Sequence, residues 1–172
     1  MDKFLNYLVD SAKRLSVPAL RMDKVCLSAM KHGQGFKDIK ILYLCESLSV
    51  FDVLGMLKAI PALVEFTGGI KSLGPELENI SDSELPDYMV STYCDVGKNF
   101  QVWNVASLNT QFIPTLVGFM LGLALLCPKL RKIEVAFGRL EEFQAKIADA
   151  LNNQLLSKHA PHLNQLFDIL CE

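Results

Sequence analysis

The chain has 172 residues, of which 51% are hydrophobic. This composition suits one folded domain with a substantial core and excludes an intrinsically disordered protein. The 17 basic and 19 acidic residues give a formal net charge of −2, so no excess charge favours nucleic acid or an anionic membrane as a partner. Five cysteines without a Cys-x-x-Cys pair, and a charged N-terminal segment without the apolar core of a signal peptide, predict a cytoplasmic or nuclear protein.

The first third of the chain alternates between helical and extended patterns. Apolar residues at helical spacing predict a helix over 4–15, and a short continuous apolar run predicts a buried strand over 39–44. Ser49, with an acid three residues later, is typical of a helix N-cap. This helix should end before Pro61, because a residue that precedes proline disfavours the helical conformation.

The remaining patterns predict a long irregular segment followed by further alternation. A strand that starts at Leu63 should dissolve at 67–69, and the segment from there to Glu84 predicts an excursion because it is rich in Gly, Ser, Asp and Pro. The later elements are, in order, a helix over 87–96, a strand over 101–105, an apolar helix over 112–126, a strand over 133–137, an amphipathic helix over 141–155, and a final strand or capping helix over 163–170.

A loose frame, Leu-x-x-Leu-x-Leu, recurs along the chain at intervals of roughly 20 to 40 residues. Three copies share a proline two residues before the frame, and 54–63 matches 121–130 in Leu-Gly, Pro and Leu at fixed offsets. Such a period predicts a solenoid, in which each unit buries its apolar face against its neighbours. The copies are Ile39-x-x-Leu42-x-Leu44, Leu63-x-x-Phe66, Phe100-x-x-Trp103-x-Val105, Leu130-x-x-Ile133-x-Val135 and Leu163-x-x-Leu166, with a weaker one at Pro18-x-Leu20.

The frame and its long intervening helices resemble leucine-rich repeats of the irregular, ribonuclease-inhibitor-like and F-box kinds. Ile39-Lys-Ile-Leu-Tyr-Leu44, Pro61-Ala-Leu-Val-Glu-Phe-Thr-Gly-Gly69 and Cys127-Pro-Lys-Leu-Arg-Lys-Ile-Glu-Val135 are similar to repeats of plant hormone-receptor F-box proteins. The resemblance implies an α/β solenoid with parallel strands on one side and helices on the other. It implies a single domain over 1–172 with about five to six irregular repeats.

Proteins of this kind serve as substrate-recognition arms of ubiquitin ligases. The resemblance therefore implies a non-catalytic protein-interaction module, with a protein partner on the concave face and a Skp1-like adaptor as a further partner. The sequence departs from the family in two respects: no F-box is evident, and Ser47 and Gly138 stand where the repeats usually have asparagine. The hormone and inositol-phosphate contacts of the receptors are therefore not carried over.

Strand alternation predicts the binding surface. The first, fourth and sixth frame residues should point into the core, and the intervening ones should face outward on the concave side. We expect partner contacts among these outward residues. They are Lys40, Tyr43, Glu65, Thr67, Gln101, Asn104, Arg131, Lys132 and Glu134.

Two alternatives remain open at this stage. The uncharged run 112–127 would suit a small membrane-associated protein, although a spanning helix needs about twenty apolar residues. An enzyme without a recognisable motif is the other, because catalytic residues assemble from distant positions. Of the short motifs, His159-x-x-His162 has Pro161 between its imidazoles, and Gly33-Gln34-Gly35 lacks the third glycine of a dinucleotide turn. We predict neither a metal nor a cofactor.

Overall fold

The computed structural model describes residues 19–22, 38–45, 47–109, 113–135, 140–152 and 159–171. The predicted helix over 4–15 and Phe112 lie outside these residues. The strands are β1 (Ala19–Met22), β2 (Ile41–Leu44), β3 (Leu48–Ser49), β4 (Glu65–Ser72), β5 (Val102–Leu108) and β6 (Lys132–Val135). The helices are α1 (Val50–Ala59), α2 (Leu85–Thr92), α3 (Ile113–Leu126), α4 (Leu140–Asn152) and α5 (Ala160–Cys171), with a short 3₁₀ turn at Pro75–Leu77.

The strands form one parallel sheet in the order β1-β2-β4-β5-β6, with β3 paired to β4 beside this path. Parallel neighbours need a crossover connection, and α1, α2 and α3 supply it between β2 and β4, β4 and β5, and β5 and β6. The prediction of an α/β protein with a parallel sheet is confirmed.

One face of the sheet is buried against the helices. Residues at the fourth frame position lie side by side across four strands, and their side chains are almost fully buried: Leu42, Phe66, Trp103 and Ile133. The Trp103 ring stacks on Phe66, with centroids 6.4 Å apart, and meets Phe119 of α3 edge-on at 5.7 Å. Its indole N–H donates to the Gly68 carbonyl at 3.3 Å, which satisfies the one polar group of the ring.

Helix α1 begins and ends where the sequence predicts. The Ser49 hydroxyl accepts a hydrogen bond from the Asp52 N–H at 3.0 Å, which satisfies a backbone donor of the first turn. The helix ends at Ala59, and the Ile60 N–H donates to the Met56 carbonyl before Pro61. Both predicted boundaries are confirmed.

Helix α3 lies inside the protein. All residues over 116–124 are buried, so an apolar surface all round the helix is expected. Two glycines allow close neighbours: a Cβ at Gly118 would lie 2.6 Å from the Asp82 carbonyl oxygen, and one at Gly122 would overlap the Met89 thioether. Among the described residues, no helix is both long and apolar enough to cross a membrane.

Two sequence predictions are corrected, and one open alternative is decided. Strand β4 does not dissolve at 67–69 but continues to Ser72. The predicted helix over 87–96 is shorter and earlier, because Pro86 suits a first helical turn and the chain turns at Asp95 and Gly97, both with positive φ. The last apolar segment is helix α5, in which the buried Leu163, Leu166 and Leu170 follow helical spacing.

Candidate functional site

The second face of the sheet carries polar side chains in register, and we call it the open face. Because strand side chains alternate, residues one position after the buried row point away from the helices. The parallel pairing places these residues side by side. We number such rows from the start of the strands, and this one is the third row: Tyr43, Thr67, Asn104 and Glu134. A second row lies two residues earlier, at Ile41, Glu65, Val102 and Lys132. All eight side chains are partly or largely exposed.

A first row precedes the strands and is fixed by backbone hydrogen bonds. It consists of Lys40, Val64, Gln101 and Arg131. The Lys40 carbonyl accepts from the N–H groups of Val64 and Glu65 at 2.8 and 2.9 Å. The Gln101 carbonyl accepts in the same way from Arg131 and Lys132 at 3.0 and 3.2 Å. The spacing between these side chains is therefore set by the sheet rather than by loops.

A small hydrogen-bonded cluster lies at the middle of the open face. The Asn104 amide donates to Glu65 Oε1 at 3.0 Å and to Thr67 Oγ1 at 3.2 Å. These bonds join β5 to β4 across the face and use both N–H donors of the amide. Three residues that the sequence predicts as separate contacts thus form one unit.

The acidic side chains of the open face have partners on that face. Lys132 Nζ lies 2.9 Å from Glu134 Oε2, and Glu65 accepts the bond from Asn104. The cations of the first row, Lys40 and Arg131, are exposed and have no carboxylate partner among the described residues. In the three rows, three cations and two carboxylates leave an excess of one positive charge, although the whole chain has a net charge of −2.

A serine pair that the sequence analysis missed lies on the open face, towards the C-terminal ends of the strands. The hydroxyls of Ser47 and Ser107 lie 2.7 Å apart. They occupy the space that a side chain at residue 69 would need, since a Cβ at Gly69 would overlap both hydroxyl oxygens. Only the fold brings Ser47, Gly69 and Ser107 together, and no local motif signals the pair.

Cavities lined by described residues open near the ends of the strands. One, of about 470 Å³, is lined by Tyr43, Leu44, Cys45 and Thr67, and so continues the open face beside β2. Another, of about 310 Å³, lies at the opposite ends of the helices and is lined by Leu57, Lys58, Pro61, Cys94, Asp95, Val96, Gly97, Lys98 and Asn99. At the wall of this cavity, Asn99 donates to the Pro61 carbonyl and accepts from Lys129, each at 3.2 Å.

The histidine pair lies away from this face. His159 is buried, and its Nε2 lies 3.2 Å from Asp87 Oδ1 without the geometry of a hydrogen bond. The rings of His159 and His162 are 6.3 Å apart and tilted. Within the described ranges, no three His, Cys, Asp or Glu side chains are grouped as a metal site would require.

Two ionisable groups with shifted pKa values belong to the helical layer rather than to the open face. Burial raises the pKa of the Cys127 thiol from 9.0 to about 12, because the thiolate would lose its hydration. The pKa of Tyr93 is also raised, mainly by burial and further by Tyr88 and Glu76. Both groups are therefore neutral near pH 7.

The structure places six of the predicted contact residues on the open face: Tyr43, Glu65, Thr67, Asn104, Lys132 and Glu134. Glu65, Thr67 and Asn104 are joined by hydrogen bonds, Lys132 and Glu134 form an ion pair, and Tyr43 lies beside Thr67 in register. Gln101 and Arg131 lie in the first row with Lys40. Comparisons of the chain with protein-family models, with curated proteins and with solved structures find no match.

Proposed function

We propose that the chain is a non-catalytic protein-interaction module that binds a protein partner on the open face of its sheet. The observation that carries this proposal is the pair of rows of outward side chains held in register across four parallel strands, with the first row linked by backbone hydrogen bonds where the strands begin. A broad, ordered polar surface with an exposed aromatic residue is suited to recognition of another protein.

We further propose that the architecture is a leucine-rich-repeat solenoid. In support, the strands follow one another in chain order across the sheet, and each step from β2 to β6 passes through a helix. The frame positions agree with this proposal, because the first and fourth residues of each strand copy from Ile39 to Ile133 are buried. In such an array the exposed strand positions form one continuous surface.

Two side chains are the best candidates for anchors of the partner. Binding energy at interfaces concentrates in a few aromatic and arginine residues. Tyr43 is 40% exposed and borders the larger cavity. Arg131 is exposed at the other end of the open face.

The assignment to an F-box-type ubiquitin ligase, with a Skp1-like adaptor, is a finer proposal that rests on the sequence resemblance alone. Affinity purification from the native cell, followed by identification of the bound proteins, tests it. Reproducible recovery of such an adaptor supports the ligase role. Its reproducible absence, with another partner recovered, contradicts the ligase role and leaves the interaction role to the next experiment.

The interaction role is tested with that purified partner. Tyr43→Ala and Arg131→Ala should each weaken binding at least about tenfold, as expected for anchor residues. Val90→Ala and Lys58→Ala are matched controls, because Val90 is also 40% exposed but lies on α2, and Lys58 is an exposed cation at the end of α1. Equal binding by all four variants would contradict the proposed surface.

A further inference from the structure

Some charged side chains of the open face have a partner on that face, and others have none. Of its two acids, Glu134 is paired with Lys132 and Glu65 accepts a hydrogen bond from the neutral Asn104 amide, so three cations stand against two carboxylates in the three rows. Lys40 and Arg131 are exposed cations without a carboxylate partner in the described part of the chain. Since opposite charges across an interface favour one partner and exclude others, this imbalance selects the kind of ligand that the face accepts.

The two cations are held at a fixed separation. They are the end members of the first row, in which backbone hydrogen bonds link residues 40, 64, 101 and 131 just before β2, β4, β5 and β6. Neighbouring strands lie about 4.8 Å apart, so three steps separate their backbones by about 14 Å. The side chains between them, those of Val64 and Gln101, are half-buried and uncharged.

We propose, resting on the function proposed above, that the partner presents an extended acidic segment to this row, with two carboxylates four residues apart. An extended chain rises about 3.3 Å per residue, so residues i and i+4 lie about 13 Å apart, close to the separation of the two cations. One carboxylate pairs with Lys40 and the other with Arg131, while the central residue of the segment lies over Val64 and Gln101. The segment runs across the strands, not along them.

The two ends of this site are not equivalent. The planar Arg131 guanidinium can hold a carboxylate through two parallel hydrogen bonds, whereas Lys40 acts as a compact point charge. Asp38 is exposed two residues before Lys40 and lowers the positive potential at that end. The Arg131 end should therefore contribute more to affinity, and both contacts should weaken with salt because they are exposed.

The test uses a labelled synthetic peptide with two glutamates four residues apart in a serine and threonine background. Controls are the same composition with adjacent glutamates and the peptide with lysines in their place. Arg131→Glu should weaken binding of the first peptide at least about tenfold and Lys40→Glu somewhat less, with the double variant lowest. Lys58→Glu is the matched control, because it reverses an exposed cation on α1.

The outcomes separate this proposal from the one on which it rests. Preference for the four-residue spacing, lost on Arg131→Glu but kept on Lys58→Glu, supports the acidic segment. Equal binding of both glutamate peptides, or equal loss with Lys58→Glu, overturns it.

A second experiment measures binding of the purified partner to Thr67→Trp, which places a bulky side chain at the middle of the open face. If Thr67→Trp abolishes partner binding while Lys40→Glu and Arg131→Glu do not, the open face is the interface and the acidic segment is wrong. If none of the three changes binding, both proposals are wrong.

Discussion

The two faces of the sheet differ although they are formed by the same strands. On the buried face, adjacent strands present leucine, phenylalanine, tryptophan and isoleucine, all nearly inaccessible to solvent. One residue later, the open face presents tyrosine, threonine, asparagine and glutamate. Burial restricts the residues of the buried face to large apolar side chains. The choice of residues on the open face is restricted only by the hydrogen bonds and ion pairs that they form with one another. The fold is therefore encoded on one face, and specificity for a partner can be encoded on the other.

Helix α3 extends the buried face into the helical layer and is its most sensitive part. Gly122→Asp would place a carboxylate against the Met89 side chain, in a region without a buried cation among the described neighbours. An unpaired buried charge costs about 3–5 kcal/mol or more, comparable to the stability of a whole domain. We expect this variant to show no cooperative thermal transition. A melt like that of the parent chain would contradict the buried position of α3.

The aromatic centre of the buried row should give the next largest effect. Trp103→Ala removes contacts with Phe66 and Phe119 and should lower the free energy of unfolding by about 3–5 kcal/mol in denaturant titrations. Trp103→Phe is the matched control: it keeps a ring but removes the donor to the Gly68 carbonyl, so it should cost about 1–2 kcal/mol. Equal effects of the two variants would mean that the ring packing contributes little.

Two glycines of α3 distinguish rigid from adaptable packing. Gly118→Ala would meet a backbone carbonyl, that of Asp82, and should lower the free energy of unfolding by about 1–3 kcal/mol. Gly122→Ala would meet the flexible thioether of Met89, which can move aside. Alanine also favours a helix over glycine by about 1 kcal/mol, so Gly122→Ala should be nearly neutral. Equal melting of the two variants would contradict the close approach of the Asp82 carbonyl.

Much of the buried face could be predicted from the sequence, because burial leaves a local and periodic signal. The frame located Leu42, Phe66, Trp103 and Ile133, which lie in one row of the sheet. The same alternation placed Tyr43, Thr67, Asn104 and Glu134, one residue later, on the other face. Their pairing could not be predicted, since the bonds from Asn104 to Glu65 and Thr67 depend on strand register between segments far apart in the chain.

The glycines show why the course of β4 was predicted wrongly. Glycine weakens a strand, so 67–69 indicates a break when only local sequence is considered. In the fold, Gly69 makes room for the hydroxyls of Ser47 and Ser107, which come from other segments. The contact of His159 with Asp87 is likewise between distant residues. Such contacts have no local pattern, and they follow only from the tertiary structure.

The buried thiol of Cys127 should give a smaller, pH-dependent effect. Its pKa is raised in the folded protein, so its contribution to stability is complete below pH 9.0 and is lost as the pH rises towards about 12. Near pH 10 the loss should be about 1 kcal/mol, because the unfolded thiol ionises while the folded one does not. Cys127→Ala is the control that removes this slope. Parallel stability curves for the two proteins over this pH range would contradict the burial of the thiol.

The smallest effect should come from the open face, and it tests whether that face is dispensable for folding. Asn104→Ala removes the bonds to Glu65 and Thr67, which are only partly buried, so water can replace the lost amide. We expect the free energy of unfolding to fall by about 1 kcal/mol or less in denaturant titrations. Ile133→Ala, on the buried face of the neighbouring strand, should cost about 2–5 kcal/mol under the same conditions. A loss for Asn104→Ala as large as that for Ile133→Ala would show that the polar cluster is needed for the fold. The two faces would then not divide stability from recognition.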